Sequence, residues 1–179
     1  EHRNYFSEKS IQKLFYNQKI KLIKIEKINY MAGSLRIYAI KNFRNLKIQK
    51  TKTFGLKKII KFEKNISIIK KKINEFVYKM QKQNKIIAGI GAATKGNTLL
   101  NYCNLTSKHI DFILDKSKLK IGKYTPGSCI KIVDENRYKN FQALIILPWN
   151  ISDFLIKKFV GKTRKPYISV QNIVKKLKK

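Results

Sequence analysis

The chain has 179 residues, of which 43% are hydrophobic, so it can form one substantial domain with a core, and wholesale disorder is excluded. Lysine and arginine total 41 against 10 acidic residues, and the formal net charge of +31 would attract polyanions. Only five of these 41 residues are arginine. Arginine is the residue that is preferred for reading bases directly and for bidentate contacts with phosphate. Lysine, isoleucine and asparagine are abundant together, as A/T-rich codons produce. We therefore attribute the charge to genomic bias and expect no specific nucleic-acid partner.

The sequence also argues against a membrane protein and a metal protein. No apolar run approaches the roughly 20 residues of a membrane-spanning helix, and the opening EHRNYFSEKS has no apolar signal segment. We expect a soluble, cytoplasmic protein without a membrane partner. Cys103 and Cys129 lie far apart, and with His2 and His109 they form no zinc-binding spacing. The sequence predicts two buried, reduced thiols and no metal site in this chain.

The first part of the chain predicts a helix followed by two strands. Ser7 is a candidate N-cap for a helix from about residue 8 to 18, without a clear capping box because no suitably placed acid follows Ser10. Alternating apolar residues then predict an antiparallel strand pair joined by a small-residue turn (strands near 22–28 and 35–39, turn at 31–33). A polar connector follows at 42–54. Apolar residues at three- and four-residue steps predict a long amphipathic helix over 55–85.

From residue 86 onward, short buried strands alternate with helices. The predicted strands are 86–90, 109–115, 129–133, 143–149 and 165–170. The predicted helices are 94–104, a turn or short helix at 135–141, and 152–160 with Ser152 as its N-cap. This alternation is typical of a parallel sheet covered on both faces. The fold class is therefore α/β: a small Rossmann-like parallel sheet domain over 86–179, preceded by the antiparallel strand pair and the long helix.

A glycine turn, GIGAATKG at residues 89–96, lies between the first of these strands and its helix. Its spacing departs from both the dinucleotide fingerprint and the Walker loop. Gly91 allows a sharp turn, and the amides of residues 92–96 point out of a helix N-terminus, which attracts anions. Lys95 is poorly placed for the helix itself and suits a bound phosphate. Asp115 ends the next strand, where it would contact a ribose, cap a loop, or pair with Lys116 or Lys118.

Three segments come in the order and spacing of one known family: GIGAATKGNTLLNYCNL, FILDKSKLKIGKYTPGSCIKI and LIILPWN. They resemble the C-terminal domain of S-adenosylmethionine-dependent sugar C-methyltransferases. The opening Glu-His pair and GSLR at residues 33–36 are similar to the end of that family's central domain, although Ala32 stands where a glycine is usual. The resemblance implies three parts: 1–54, the truncated end of a central methyltransferase domain; 55–85, a linking helix; and 86–179, the Rossmann-like C-terminal domain.

The resemblance implies the C-terminal portion of a methyltransferase that acts on a nucleotide-linked keto-deoxysugar. By this resemblance His2 would be the general base, and Glu1 would orient it or share in the proton transfer. The base role suits imidazole, because it titrates near working pH. The implied substrate contacts are Gly91, Lys95, Asn97, Asp115, Tyr124, Gly127 and Ser128. S-adenosylmethionine would bind to the missing central domain, and zinc to a missing N-terminal region. We expect this fragment to be a monomer and to be inactive alone.

Two rival hypotheses stay open at this point. The chain would be a stand-alone nucleotide-binding module if it bound a nucleoside diphosphate tightly by itself. It would be a basic nucleic-acid-binding protein if its affinity for DNA or RNA survived about 200 mM salt, where nonspecific lysine contacts fail. Trp149, which follows Pro148, is expected to pack in the core rather than stack on a base.

Overall fold

The computed structural model describes residues 4–30, 33–41, 55–136, 139–161 and 165–177. The chain divides into two compact units, Glu1–Ile59 and Ile60–Lys179. The predicted connector at 42–54 lies outside the described residues, and so do Glu1 and His2.

The first unit contains the predicted helix and strand pair. Helix α1 (Glu8–Asn17) precedes strands β1 (Lys21–Ile28) and β2 (Ser34–Ile40), which pair antiparallel. A capping box is present, contrary to the prediction: Ser10 N–H donates to Ser7 Oγ at 3.2 Å, and Ser7 N–H donates to Ser10 Oγ at 2.8 Å. A serine hydroxyl can accept this reciprocal bond as an acid would, so the search for an acid missed it.

The long helix α2 (Leu56–Lys82) confirms the predicted amphipathic segment. Its three buried residues, Ile73, Val77 and Met80, are spaced at four and three residues and lie in the second unit. This spacing places them on one side of the helix, as expected for a helix that packs along one stripe.

The second unit is built around a five-stranded, fully parallel sheet with the strand order β5-β4-β3-β6-β7. Its strands are β3 (Ile87–Ile90), β4 (Phe112–Asp115), β5 (Ile132–Asp134), β6 (Ala143–Ile146) and β7 (Tyr167–Ser169). Its remaining helices are α3 (Thr94–Tyr102), α4 (Ser152–Phe159) and α5 (Val170–Leu177), with a 3-10 turn at Trp149–Ile151. The predicted α/β fold class is therefore confirmed.

Both faces of the sheet are buried. On one face, Ile113 and Ile145 pack with Ile73 of α2, Leu100 of α3 and Ile173 of α5. The other face packs mainly against α4, through the residues Ile90, Leu114, Leu144, Ile146 and Leu155. Burial on both faces explains why the strands appear in the sequence as short continuous apolar runs.

One prediction for this unit is met in part and two are wrong. Where a turn or short helix was predicted at 135–141, Glu135 and Asn136 form a turn and 139–141 are irregular. Ser152 does not cap α4: the N-cap is Ile151, and the fully buried Ser152 hydroxyl bonds to Gln171 Oε1. The last strand does not run on to residue 170, because Val170 begins α5.

In the described part of the chain, no helix is both long enough and apolar enough to cross a membrane.

Candidate functional site

The strand order creates a switch point between β3 and β6. From β3 the chain moves outward to β4 and β5 on one side, and later returns to add β6 and β7 on the other. Adjacent connections therefore diverge at the carboxyl ends of β3 and β6, which is where open α/β sheets bind ligands. The residues that follow these two strands are the glycine turn and the Pro148–Trp149 pair.

Gly91 forms the sharp turn after β3. Its φ angle is +85°, and a Cβ added there would overlap the Pro148 ring, with Cδ only 2.9 Å away. Ala93 N–H donates back to the Gly91 carbonyl at 2.8 Å and tightens the turn. Residue 91 must therefore be glycine for two reasons, backbone conformation and lack of space.

Gly96 has a different function, in the first turn of α3. A Cβ there would lie 2.6 Å from Leu147 Cβ and 3.3 Å from the Gly91 carbonyl oxygen. The missing side chain lets α3 approach the end of β6 closely. This is the helix-packing function of the third glycine in a dinucleotide fingerprint, at a position that the fingerprint spacing does not include.

Asp115, at the end of β4, connects the turns that follow two strands. Its Oδ2 accepts a hydrogen bond from Ala92 N–H and its Oδ1 accepts one from Ser117 N–H, both at 2.8 Å. The carboxylate also lies 3.7 Å from the Lys120 ammonium. Both oxygens thus accept from the chain's own amides, which is the arrangement of a loop cap, and the ion-pair partner is Lys120 rather than Lys116 or Lys118.

The N-terminus of α3 is open to an anion. Its N-cap, Ala93, has no side chain that could accept a hydrogen bond. Among the described residues, none accepts from the amides of Thr94, Lys95 or Gly96. The Lys95 ammonium lies 5.8 Å from the centre of the Trp149 ring. Three amides, the positive end of the helix dipole and one cation thus meet at the switch point.

Asn97 is in the first turn of the same helix. Its side-chain Oδ1 is buried and has no hydrogen-bond partner among the described residues. A buried acceptor left without a donor costs about 1–3 kcal/mol. A hydroxyl or amide donor on a ligand would relieve that cost.

The loop containing the other predicted contacts is tied to α3. Gly127 has φ +76°, and a Cβ there would overlap the side chain of Asn101. Asn101 Nδ2 donates to the Pro126 carbonyl at 3.0 Å and to the Asn97 carbonyl at 2.9 Å. Asn101 was missed by the sequence analysis, because an asparagine in the last turn of a helix gives no local signal of a bond to a loop 25 residues away.

Within this loop the structure separates Tyr124 from Ser128. Tyr124 is 60% exposed, whereas Ser128 is buried and its hydroxyl lies 2.6 Å from Thr125 Oγ1. Thr125 Oγ1 also accepts from Ile130 N–H at 2.9 Å. The Ser128 side chain therefore belongs to the internal bonding of the loop. The predicted residues that the structure brings together are Gly91, Lys95 and Asn97 on the glycine turn and α3, with Asp115 bonded to that turn.

The two thiols differ. Cys103 is buried, and burial raises the pKa of its thiol to about 11. Cys129 is exposed and has φ +52°, so the prediction that both thiols are buried is wrong for it. The tight loop turns Cys129 outward directly after the buried Ser128. No cluster of three or more potential metal ligands occurs in the part of the chain that the structure describes.

Fold and switch point together define a Rossmann-like domain with an anion-binding geometry after its first strand. The protein-family model for the C-methyltransferase C-terminal domain matches residues 31–165, and the chain belongs to this family. The C-methyltransferase NovU of Streptomyces niveus is 26% identical over 169 residues, which cover 87% of this chain and 40% of that protein. The family inferred from the sequence is confirmed, and the chain spans less than half the length of this relative.

Proposed function

We propose that this chain is the substrate-holding C-terminal portion of an S-adenosylmethionine-dependent C-methyltransferase whose substrate is a nucleotide-linked keto-deoxysugar. Family membership and the relative's activity as a C-methyltransferase support the reaction class. The observation that carries the proposal is the N-terminus of α3, where three backbone amides and Lys95 converge at the switch point of the sheet.

The substrate diphosphate is the group that these features suit. Its oxygens would accept from the amides of Thr94, Lys95 and Gly96, and its charge would be balanced by the helix dipole and the Lys95 ammonium. The orphan Oδ1 of Asn97 would accept from a hydroxyl of the sugar or the nucleoside. Tyr124, exposed on the loop that Asn101 ties to α3, is left as a further contact.

The glycine turn does not fit the methyl donor. Both oxygens of Asp115 already hold the chain's own turns, so the acid is not available as a simple ribose acceptor. We therefore assign the cofactor to a part of the enzyme outside this chain, and the expected zinc as well, by resemblance alone.

His2 and Glu1 are proposed as the base and its orienting partner by resemblance alone, since both lie outside the described residues. His2 would remove the proton from the carbon next to the keto group, which leaves an enolate whose carbon is the nucleophile. S-adenosylmethionine supplies the methyl group. Without the cofactor-binding part, the 179-residue chain is expected to give no turnover with labelled S-adenosylmethionine.

Calorimetric titration of the chain with dTDP and UDP, and with the matching monophosphates, tests the anchoring site. We expect diphosphates to bind more tightly, and Lys95→Ala to weaken them about tenfold, a loss of about 1.4 kcal/mol. Lys157→Ala, on an exposed part of α4, is the matched control and should leave the affinity unchanged. Equal affinity of the Lys95→Ala variant and the parent chain would refute the site.

A further inference from the structure

A concave surface lies at the β7 edge of the sheet, opposite the β5 edge. It is a groove of about 800 Å³ between α2, the edge strand β7 and α5. Its apolar residues are Phe76, Ile168 and Ile173, and four lysines line it against one glutamate. Lys72 and Lys79 stand on α2, and Lys175 and Lys176 on α5. We call this surface the β7 groove.

The strand in this groove has an open edge. Among the strands that the structure describes, β7 pairs only with β6, and the Leu144 amide donates to the Pro166 carbonyl. In a parallel pair, successive residues direct their amide and carbonyl alternately toward the neighbour and away from it. The bond to Pro166 therefore places the N–H and C=O of Tyr167 on the side away from β6. Within the described residues, no other backbone group bonds to them.

An open strand edge with apolar side chains beside it suits an extended polypeptide. Added strands gain affinity from main-chain hydrogen bonds and specificity from pockets for alternate side chains. Phe76 and Ile168 pack against the core and remain partly exposed in the groove, so they offer an apolar wall. A free N–H and C=O on a strand edge pair with another polypeptide backbone, which favours a polypeptide over a single-stranded nucleic acid.

The charged residues of the groove indicate which kind of polypeptide would bind there. Of the groove's charged groups, Lys175 lies 3.3 Å from Asp153 and Glu75 lies 3.9 Å from Lys71. Lys72, Lys79 and Lys176 have no acidic partner among the described residues. A second copy of this chain, with its formal charge of +31, would be repelled by them. An acidic segment would be attracted.

We propose that the β7 groove binds an extended, acidic polypeptide segment that pairs with the open edge of β7. Its backbone bonds to Tyr167, its apolar side chains contact Phe76 and Ile168, and its carboxylates pair with Lys72 and Lys79. The inference is independent of the nucleotide site, because β7 and the N-terminus of α3 are different parts of the unit.

A labelled extended peptide, added to the full chain, is the probe. Its odd positions alternate valine and glutamate and its even positions are threonine, so that valine and glutamate lie on the same face of the added strand. We expect saturable binding in fluorescence anisotropy, loss of binding when lysine replaces glutamate, and loss when alternate peptide amides are N-methylated. The Lys72→Glu/Lys79→Glu variant should raise the Kd about tenfold or more. The control Lys123→Glu/Lys131→Glu makes the same charge change beside β5, at the opposite edge of the sheet, and should raise it much less.

Three results would overturn the proposal. One is no binding of the acidic peptide, and another is an equal loss in both charge-reversal variants, which would mean that only net charge matters. The third is concentration-dependent dimerisation in sedimentation velocity that Lys72→Glu/Lys79→Glu alters, which would make the groove a contact between copies. The four substituted lysines, Lys72, Lys79, Lys123 and Lys131, are all exposed, so circular dichroism melts should show that both variants fold.

Discussion

The amide of Ala92 and the carboxylate of Asp115 are 23 residues apart in the chain and are joined by a hydrogen bond of 2.8 Å. Through this bond the end of β4 holds the glycine turn that follows β3. The shape of the candidate site therefore depends on Asp115, whose hydrogen bond fixes the position of the glycine turn. We expect Asp115 to affect ligand binding through Ala92 rather than by direct contact.

Removal of the Asp115 carboxylate should lower both the stability of the fold and the affinity for the ligand. Asp115→Ala leaves the amides of Ala92 and Ser117 without acceptors, so we expect a loss of about 1–3 kcal/mol in the free energy of unfolding, measured in urea. Asp153→Ala is the control: its side chain is 66% exposed, and its loss should change stability by less than about 0.5 kcal/mol. Equal losses in the free energy of unfolding for the two substitutions would contradict the conclusion that Asp115 holds the glycine turn in place.

The two constraints on Gly91 can be separated experimentally. Gly122 has φ +84°, almost the same as Gly91, but a Cβ there would meet no atom within 4 Å. Gly122→Ala should therefore cost only the backbone strain, about 1–2 kcal/mol. Gly91→Ala adds the overlap with Pro148 and should cost about 1–3 kcal/mol more in the same urea titration. Similar losses would mean that the Pro148 ring moves away easily.

The cysteines should react at very different rates. Because burial raises the pKa of Cys103 to about 11, its thiol stays protonated at pH 8 and is shielded from reagents. Cys129 is exposed. With Ellman's reagent at pH 8 we expect one fast thiol in the folded chain and two after denaturation. Cys129→Ser should abolish the fast phase, and two fast thiols in the folded protein would contradict the burial of Cys103.

In the first unit, Glu26 should titrate below its ordinary range. The side-chain hydrogen bond with Lys24 is the main cause of the lowered pKa, and the bond from Tyr38 adds to it. A carboxylate with a depressed folded pKa stabilises the fold above its unfolded pKa, and this contribution is lost as the pH falls through the folded value. Carboxyl NMR titration should show a midpoint below 4.5 for Glu26 that rises in Lys24→Ala.

The sequence predicted those features that depend on local apolar spacing. Buried runs such as Ile87–Ile90 and Ala143–Ile146 identified the strands, because both faces of a parallel sheet are covered. Helix α5 was missed although Val170, Ile173, Val174 and Leu177 recur at three- and four-residue steps. The sequence analysis ended the last strand at residue 170 and assigned no element to the lysine-rich end that follows it.

The site was predicted less completely, for a physical reason. Gly91 and Lys95 have a local signal, the strand, turn and helix in sequence. The other features of the site are contacts between residues that are each of a type with many possible partners. They are the ion pair of Asp115 with Lys120, the bond of Asn101 to Pro126, and the contact of the Pro148 ring with Gly91. Only the fold determines which partner each one meets.

The most direct test of the central claim is an NMR titration of the assigned 179-residue chain with dTDP and UDP. If a substrate diphosphate binds at the switch point, the amides of Thr94, Lys95 and Gly96 should show the largest shift changes, and Lys95→Ala should reduce them. Shift changes confined to other residues, or equal for diphosphates and inorganic chloride, would contradict the account.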